Sequence, residues 1–100
     1  MDPRLAHRFG GNLRRARRRA DLSQVQLARL VELNRVDVGQ LERGRRLPRL
    51  DTILKLSAGV EQSSCVLLAG LRWRPGYYVN GGFCVDDPSE ASAAAKRGAR

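Results

Sequence analysis

Two helical segments in this 100-residue chain are confined to about two turns each by the residues that bound them. Ser23 is followed three residues later by Gln26, the reciprocal signature of a helix start in which the hydroxyl accepts a backbone N–H and the amide returns to the cap. Leu27, Ala28, Leu30 and Val31 then supply an apolar side at helical spacing. Glu32, Leu33 and Asn34 interrupt it, and Asn34 is itself a good N-cap. Asp37, three residues on, complements the positive end of the new helix dipole. Val38 and Leu41 form the next inward face, and Gly44 ends it. The expectation is helix over 24–31, a three-residue connection, and helix over 35–43. Helices this short are marginal alone, so they must brace each other inside a larger bundle.

The rest of the chain supplies that bundle. Residues 1–8 read as a polar lead-in, and Phe9, Leu13, Ala16 and Ala20 recur at helical spacing with arginines on the other face. Gly10 and Gly11 weaken the first turn of this helix. Leu50, Ile53, Leu54 and Leu56 predict a fourth helix over 50–58, and Ser63 caps a fifth over 64–71. The period then changes. Tyr77-Tyr78-Val79 and Phe83-Cys84-Val85 flank Asn80-Gly81-Gly82, which reads as a β-hairpin. The Ser- and Ala-rich remainder has no periodic core and is expected to be disordered. The predicted fold is all-α, with five helices over 1–72, a short C-terminal β-hairpin over 73–85 and a disordered tail over 86–100.

Composition narrows the function. Nineteen Lys and Arg against ten Asp and Glu leave a net charge of +9, nearly all of it arginine. That excess favours a polyanion, because neutralising phosphates releases condensed counterions; a solvated basic surface is the plain alternative. No run approaches the roughly 18 apolar residues of a membrane span, and no signal-peptide core opens the chain. A cytoplasmic protein without membrane partners is expected. Cys65, Cys84 and the sole histidine, His7, do not have the spacing of a zinc site. The two cysteines are read as buried thiols in a reducing compartment. No metal or cofactor is expected. An enzyme is the least favoured class, since no paired carboxylates, Ser/His/Asp set or glycine-rich phosphate loop is visible.

Two short helices joined by a three-residue turn describe a helix-turn-helix, in which one helix braces another in the DNA major groove. Residues 9–71 resemble the lambda-repressor/Cro-type helix-turn-helix family, also called the xenobiotic-response-element family. The resemblance is carried by Leu13-Arg-Arg-Ala-Arg17, Leu22-Ser-Gln24, Leu27-Ala28, Leu41-Glu-Arg-Gly44, Pro48, Leu50-Asp-Thr-Ile-Leu-Lys-Leu56 and Leu67-Leu-Ala-Gly-Leu71. It implies a transcriptional regulator, most simply a repressor, that binds double-stranded DNA as a homodimer. By position, Gln24 would hold a DNA phosphate, while Arg35, Val36 and Gln40 would face base edges. Arg43 and Arg46 would contact the backbone, and Asn34 would serve as both cap and contact. Arg17 and Glu42 would form a buried structural ion pair. Arg14 and Arg18 are expected to be solvated. Asp37 either reads a cytosine or caps its helix locally.

The departures from the family pattern are specific. Asp21, Glu32 and Glu61 stand where the family usually has glycine in a left-handed turn. Arg49 replaces a small N-cap, Gln62 a core valine, and Gly39 sits in the middle of the reading helix. The aromatic hairpin, together with the fifth helix, is expected either to form a two-fold interface or to cover the end of the bundle. An antitoxin binding a toxin through the hairpin and tail, and a protein-interaction module on the same fold, are the competing readings.

Overall fold

The computed structural model describes residues 1–77 and 80–86. Helix begins almost at the first residue. Asp2 caps α1 (Pro3–Arg19), its carboxylate accepting the Arg4 N–H at 2.9 Å, and Pro3 occupies the first turn, where its missing N–H costs nothing. The expected lead-in over 1–8 is therefore the first part of a 17-residue helix. Leu5 and Ala6 are buried with Phe9, which carries the apolar stripe one turn further back. Arg4, His7 and Arg8 interleave with them and hide the stripe in the sequence.

The two short helices follow as α2 (Gln24–Leu30) and α3 (Arg35–Glu42). Ser23 and Gln26 close both arms of the capping box at α2. Asn34 Oδ1 accepts the Val36 N–H at 2.9 Å at α3. Next come α4 (Leu50–Gly59) and α5 (Ser64–Leu67), the latter capped by Ser63. Arg49 makes no side-chain cap for α4, and Gln62 is exposed.

Four of these helices end in the same way. The residue after the C-cap is left-handed, and the next N–H reaches back to the carbonyl five residues earlier: Leu22 to Arg17, Leu33 to Ala28, Arg45 to Gln40 and Gln62 to Ser57. At α3 the left-handed residue is Gly44, with φ +72°, pressed against the α1 backbone at His7. At the other three it is Asp21, Glu32 and Glu61, with φ of 57°, 57° and 56°. The acids at the family's glycine positions have thus kept the glycine conformation.

One core joins α1, α2, α3, α4 and α5 through residues including Phe9, Leu13, Leu27, Val38, Leu41, Leu56 and Leu67. The α1–α3 crossing is close. A β-carbon on Gly10 would overlap the Leu41 carbonyl oxygen and stand 2.6 Å from that of Glu42. Leu50 and Leu54, which helped predict α4, are 73% and 55% exposed; Leu56 is the residue that α4 buries fully.

The C-terminal part differs from expectation. α5 stops at Leu67 rather than 71 because Asn12, buried on α1, donates its amide to the carbonyls of Leu67 and Ala69 at 2.9 and 3.0 Å. Gly70, φ +85°, then turns the chain into β1 (Leu71–Arg74), which pairs antiparallel with β2 (Gly82–Val85). The first strand is thus 71–74, not 77–79. Pro75 and Gly76 break it, and Gly82, expected in the turn, pairs with Arg74. Tyr77 is exposed in the connection, while Tyr78 and Val79 lie outside the described residues. Trp73 and Phe83 face each other across the pair, edge to face, with ring centroids 5.0 Å apart. The hairpin is tied to α1 by Arg4, whose guanidinium donates to the Phe83 carbonyl at 3.0 Å, and by Arg8 to the Asp86 carbonyl. Asp86, expected to open the tail, closes the sheet instead through its N–H to the Gly70 carbonyl at 2.7 Å. The rest of the expected tail, 87–100, lies outside the described residues. Cys65 is exposed and Cys84 half-buried, both as free thiols, so the expectation of buried thiols fails at Cys65. Among the described residues, no helix is long and apolar enough to cross a membrane.

Candidate nucleic-acid interface

α3 divides cleanly into two faces. Val38, Leu41 and Glu42 turn inward, while Val36, Gln40 and Arg43 recur at the spacing that aligns them along the opposite side. Val36 is 54% exposed and Arg43 is exposed, while Gln40 is half-buried. Arg35, also exposed, lies at the edge of this stripe. Val36 is an apolar residue that the fold leaves in solvent. The side chains of Arg35 and Gln40 make no hydrogen bond or ion pair with other described residues.

The inward side of α3 carries an unusual polar group for a core. Glu42 is buried, and Arg17 of α1 meets it with Nε on Oε2 at 2.6 Å and Nη2 on Oε1 at 2.9 Å. Arg17 Nη1 also donates to the Leu22 carbonyl at 2.8 Å, which leads into α2. The bonds to Glu42 raise the Arg17 pKa further, against the smaller opposing effect of burial. Gln24, at the first turn of α2, donates Nε2 to the same Glu42 Oε1 at 3.2 Å. One carboxylate therefore connects α1, α2 and α3, and Gln24 is positioned by it with its Oε1 near Gly39.

Gly39 brings two more of the named residues together. A β-carbon there would stand 3.3 Å from the Arg43 guanidinium and 3.6 Å from Gln24 Oε1. The missing side chain lets both lie over the middle of α3. Arg46 sits apart. Its guanidinium is 3.5 Å from the Asp37 carboxylate, with both side chains partly exposed. Asp37 thus pairs with Arg46 rather than with the backbone of its own helix start, where Asn34 already serves. Arg45 and Arg49 are exposed on the same connection. Neither was singled out from the sequence, although the Arg45-Arg46 run after Gly44 was the available signal. Asn12 gave no signal, because nothing in a local pattern marks a side chain that closes carbonyls 55 residues away.

A donor-rich ridge results, made of α3, the start of α2 and the connection after Gly44. Its side chains can grip phosphate oxygens and base edges, and it contains no carboxylate apart from the paired Asp37 and Glu42.

Residues 8–63, more than half of the chain, match the model of a helix-turn-helix domain. Among solved structures the chain is similar to the restriction-modification controller protein C.AhdI from Aeromonas hydrophila, at 40% identity over 62% of this chain and 94% of that one, with a TM-score of 0.60. It is similar also to the hypothetical transcription factor NHTF from Neisseria, at 32% identity, over 68% and 79% of the two chains, with a TM-score of 0.61. The P22 c2 repressor, solved in complex with a synthetic operator, is 29% identical over 62% and 94%, with a TM-score of 0.58. Comparison with curated protein sequences gives no match.

Proposed function

This chain belongs to the helix-turn-helix family of Cro/C1-type DNA-binding transcription regulators, and from that premise we propose that it reads a specific double-stranded DNA sequence as a homodimer and represses transcription from it. In this reading α3 enters the major groove. Arg35 grips guanine O6 and N7 or a neighbouring phosphate, Gln40 reads adenine, and Val36 meets a thymine methyl. Gln24, Asn34, Arg43 and Arg46 hold the sugar-phosphate backbone and set the register. Two copies would place their reading helices about one DNA turn, roughly 34 Å, apart.

The observation that carries this reading is the asymmetry of α3. Its inner face is locked by packing and by the Arg17–Glu42–Gln24 network. Its outer face keeps Arg35, Val36 and Gln40 uncommitted. The net charge of +9 supports a polyanionic partner. The likeness to an operator-bound repressor supports the repressing role.

The test is binding of the purified chain to the DNA upstream of its own gene, against random duplex, at two salt concentrations. Specific binding should exceed non-specific binding by about 10³ or more. That preference should disappear in a variant combining Arg35→Ala and Gln40→Ala. Equal and steeply salt-dependent binding to both duplexes, unchanged in the variant, would overturn sequence reading and leave backbone electrostatics alone.

A further inference from the structure

α1 carries seven arginines and no carboxylate. Most of them have partners within the protein. Arg4 bonds the Asp2 carboxylate and the Phe83 carbonyl, Arg8 the Asp86 carbonyl, Arg15 the Asn12 amide oxygen at 2.6 Å, and Arg17 the Glu42 carboxylate. Arg14 and Arg18 are exposed and bond to no other described residue. Even Asp21, three residues after Arg18, makes no ion pair with it. One turn apart, the two guanidinium groups are like charges on one side of the helix, which weakens α1 unless something outside the protein neutralises them.

Their place in the fold follows from their neighbours. Arg14 lies one turn after Gly10 and one turn before Arg17, and both of those meet Glu42 at the end of α3, Gly10 against its carbonyl and Arg17 on its carboxylate. Two turns before Arg14, on the same side of α1, His7 lies against Gly44, whose β-carbon would stand 2.9 Å from His7 Cα. The edge of α1 that carries Arg14 and Arg18 therefore runs beside the end of α3 and the connection of Arg45 and Arg46. It leads towards Leu22, whose carbonyl Arg17 holds, and the start of α2 at Gln24.

We infer that Arg14 and Arg18 form a second row of phosphate contacts, on the DNA backbone beside the groove that α3 enters. The inference rests on the DNA-reading function above for its partner and extends the interface onto α1. Residues four apart on a helix have β-carbons about 5–6 Å apart, so two long guanidinium arms can reach neighbouring phosphates of one strand. Arginine suits that role, because its planar fork meets phosphate oxygens in pairs. The nearest buried carboxylate, Glu42, is already bonded to Arg17 and Gln24 and does not compete for them. From sequence the two arginines are expected to be solvated. In the free protein they are exposed, and the structure places them along the edge of the ridge. Arg19 differs from them. It lies on the far side of α1 and lines a cavity with Leu22, Leu30 and Gly59, away from α3.

The full chain is titrated with the DNA upstream of its own gene and with a random duplex over a range of salt concentrations. Arg14→Gln and Arg18→Gln should each lower the slope of log affinity against log salt by about 1 on both duplexes, and the double variant by about 2. Arg14→Lys, which keeps the charge, should keep the slope. Arg19→Gln removes the same charge from the far side of α1 and should leave the slope near that of the wild type. Melting followed by circular dichroism should show Arg14→Gln and Arg18→Gln folded at least as stably as the wild type, since each relieves a repulsion. Slopes unchanged in Arg14→Gln and Arg18→Gln, or lowered no more than in Arg19→Gln, would overturn the contact. If the protein prefers its own DNA while those slopes stay unchanged, sequence reading stands and the α1 contact falls. If the slopes fall as expected but neither duplex is preferred, the contact stands and sequence reading falls. A wild type that binds neither duplex at low salt would overturn both.

Discussion

Arg17 grips Glu42 with two parallel hydrogen bonds, of 2.6 and 2.9 Å, and joins the first helix to the end of the third across 25 residues of chain. The carboxylate side chain is only 3% exposed and the guanidinium 11%. Removing one partner leaves a charge in a place water hardly reaches. Arg17→Ala should therefore cost about 3–5 kcal/mol, a large part of the stability of a domain this size. Thermal melting checks it; a midpoint equal to the wild type would refute the role of the pair. Replacing both partners with methionine and leucine should cost less than either single change.

Three helix ends carry acids in a conformation that suits glycine. Left-handed backbone costs a side chain about 1–2 kcal/mol, and a negative charge at a helix C-terminus opposes the dipole. Glycine returns part of that gain through its greater freedom in the unfolded chain. Glu32→Gly and Glu61→Gly should each stabilise the protein by about 1 kcal/mol, and Asp21→Gly by less, since aspartate tolerates the region better. Chemical denaturation with an unchanged slope should show the order. Nothing in the structure explains why acids stand at these positions.

The same substitution should act in opposite directions at two glycines. Gly10→Ala drives a methyl into the backbone carbonyls of Leu41 and Glu42, so it should destabilise by about 1–3 kcal/mol or more. Gly39→Ala meets only the far ends of Arg43 and Gln24, and should stabilise α3 by up to about 1 kcal/mol. It also displaces the two side chains proposed to hold the DNA backbone. Melting and DNA titration should therefore move apart, with a higher midpoint and weaker binding.

Arg46 and Asp37 sit 3.5 Å apart on the surface proposed to meet DNA. A phosphate would compete with Asp37 for that guanidinium. Asp37→Asn should tighten binding to any duplex, and Arg46→Ala should lower the slope of log affinity against log salt by about 1. An unchanged slope in Arg46→Ala would place Arg46 outside the contact.

At the other end of the protein, side-chain and backbone hydrogen bonds from Arg4 hold the Asp2 carboxyl below its ordinary value of 3.8. Its contribution to α1 is thus present above the unfolded-state value and is lost as pH falls through the lower folded one. An NMR titration should show Asp2 ionising below 3.8 in the wild type and moving back towards it in Arg4→Ala.

Much of this was legible one residue at a time. Ser23, Gln26, Asn34 and Gly44 announce their helix ends because capping is local chemistry, completed within four residues. The exposed stripe of α3 follows from the spacing of Val38 and Leu41 alone. Other features were hidden for an equally physical reason. Leu50 and Leu54 have the spacing of buried residues, yet burial depends on what lies opposite; Leu56 is fully buried and Ile53 packs against the core in part. Tyr77 looked like strand, but strand requires a partner in register, and Gly82–Val85 pairs with Leu71–Arg74. Gln24, expected from the resemblance to hold a phosphate, also donates to Glu42, a contact that no local pattern announces.

By itself the sequence determined how many helices there are, where α2 and α3 start and stop and which side of α3 faces solvent, because caps and periodicity act between neighbours along the chain. Only the tertiary structure decided where α5 ends, which strand pairs with which, how one carboxylate ties three helices together and which leucines are left over. Those outcomes depend on groups far apart in sequence competing for the same hydrogen bonds and the same buried volume.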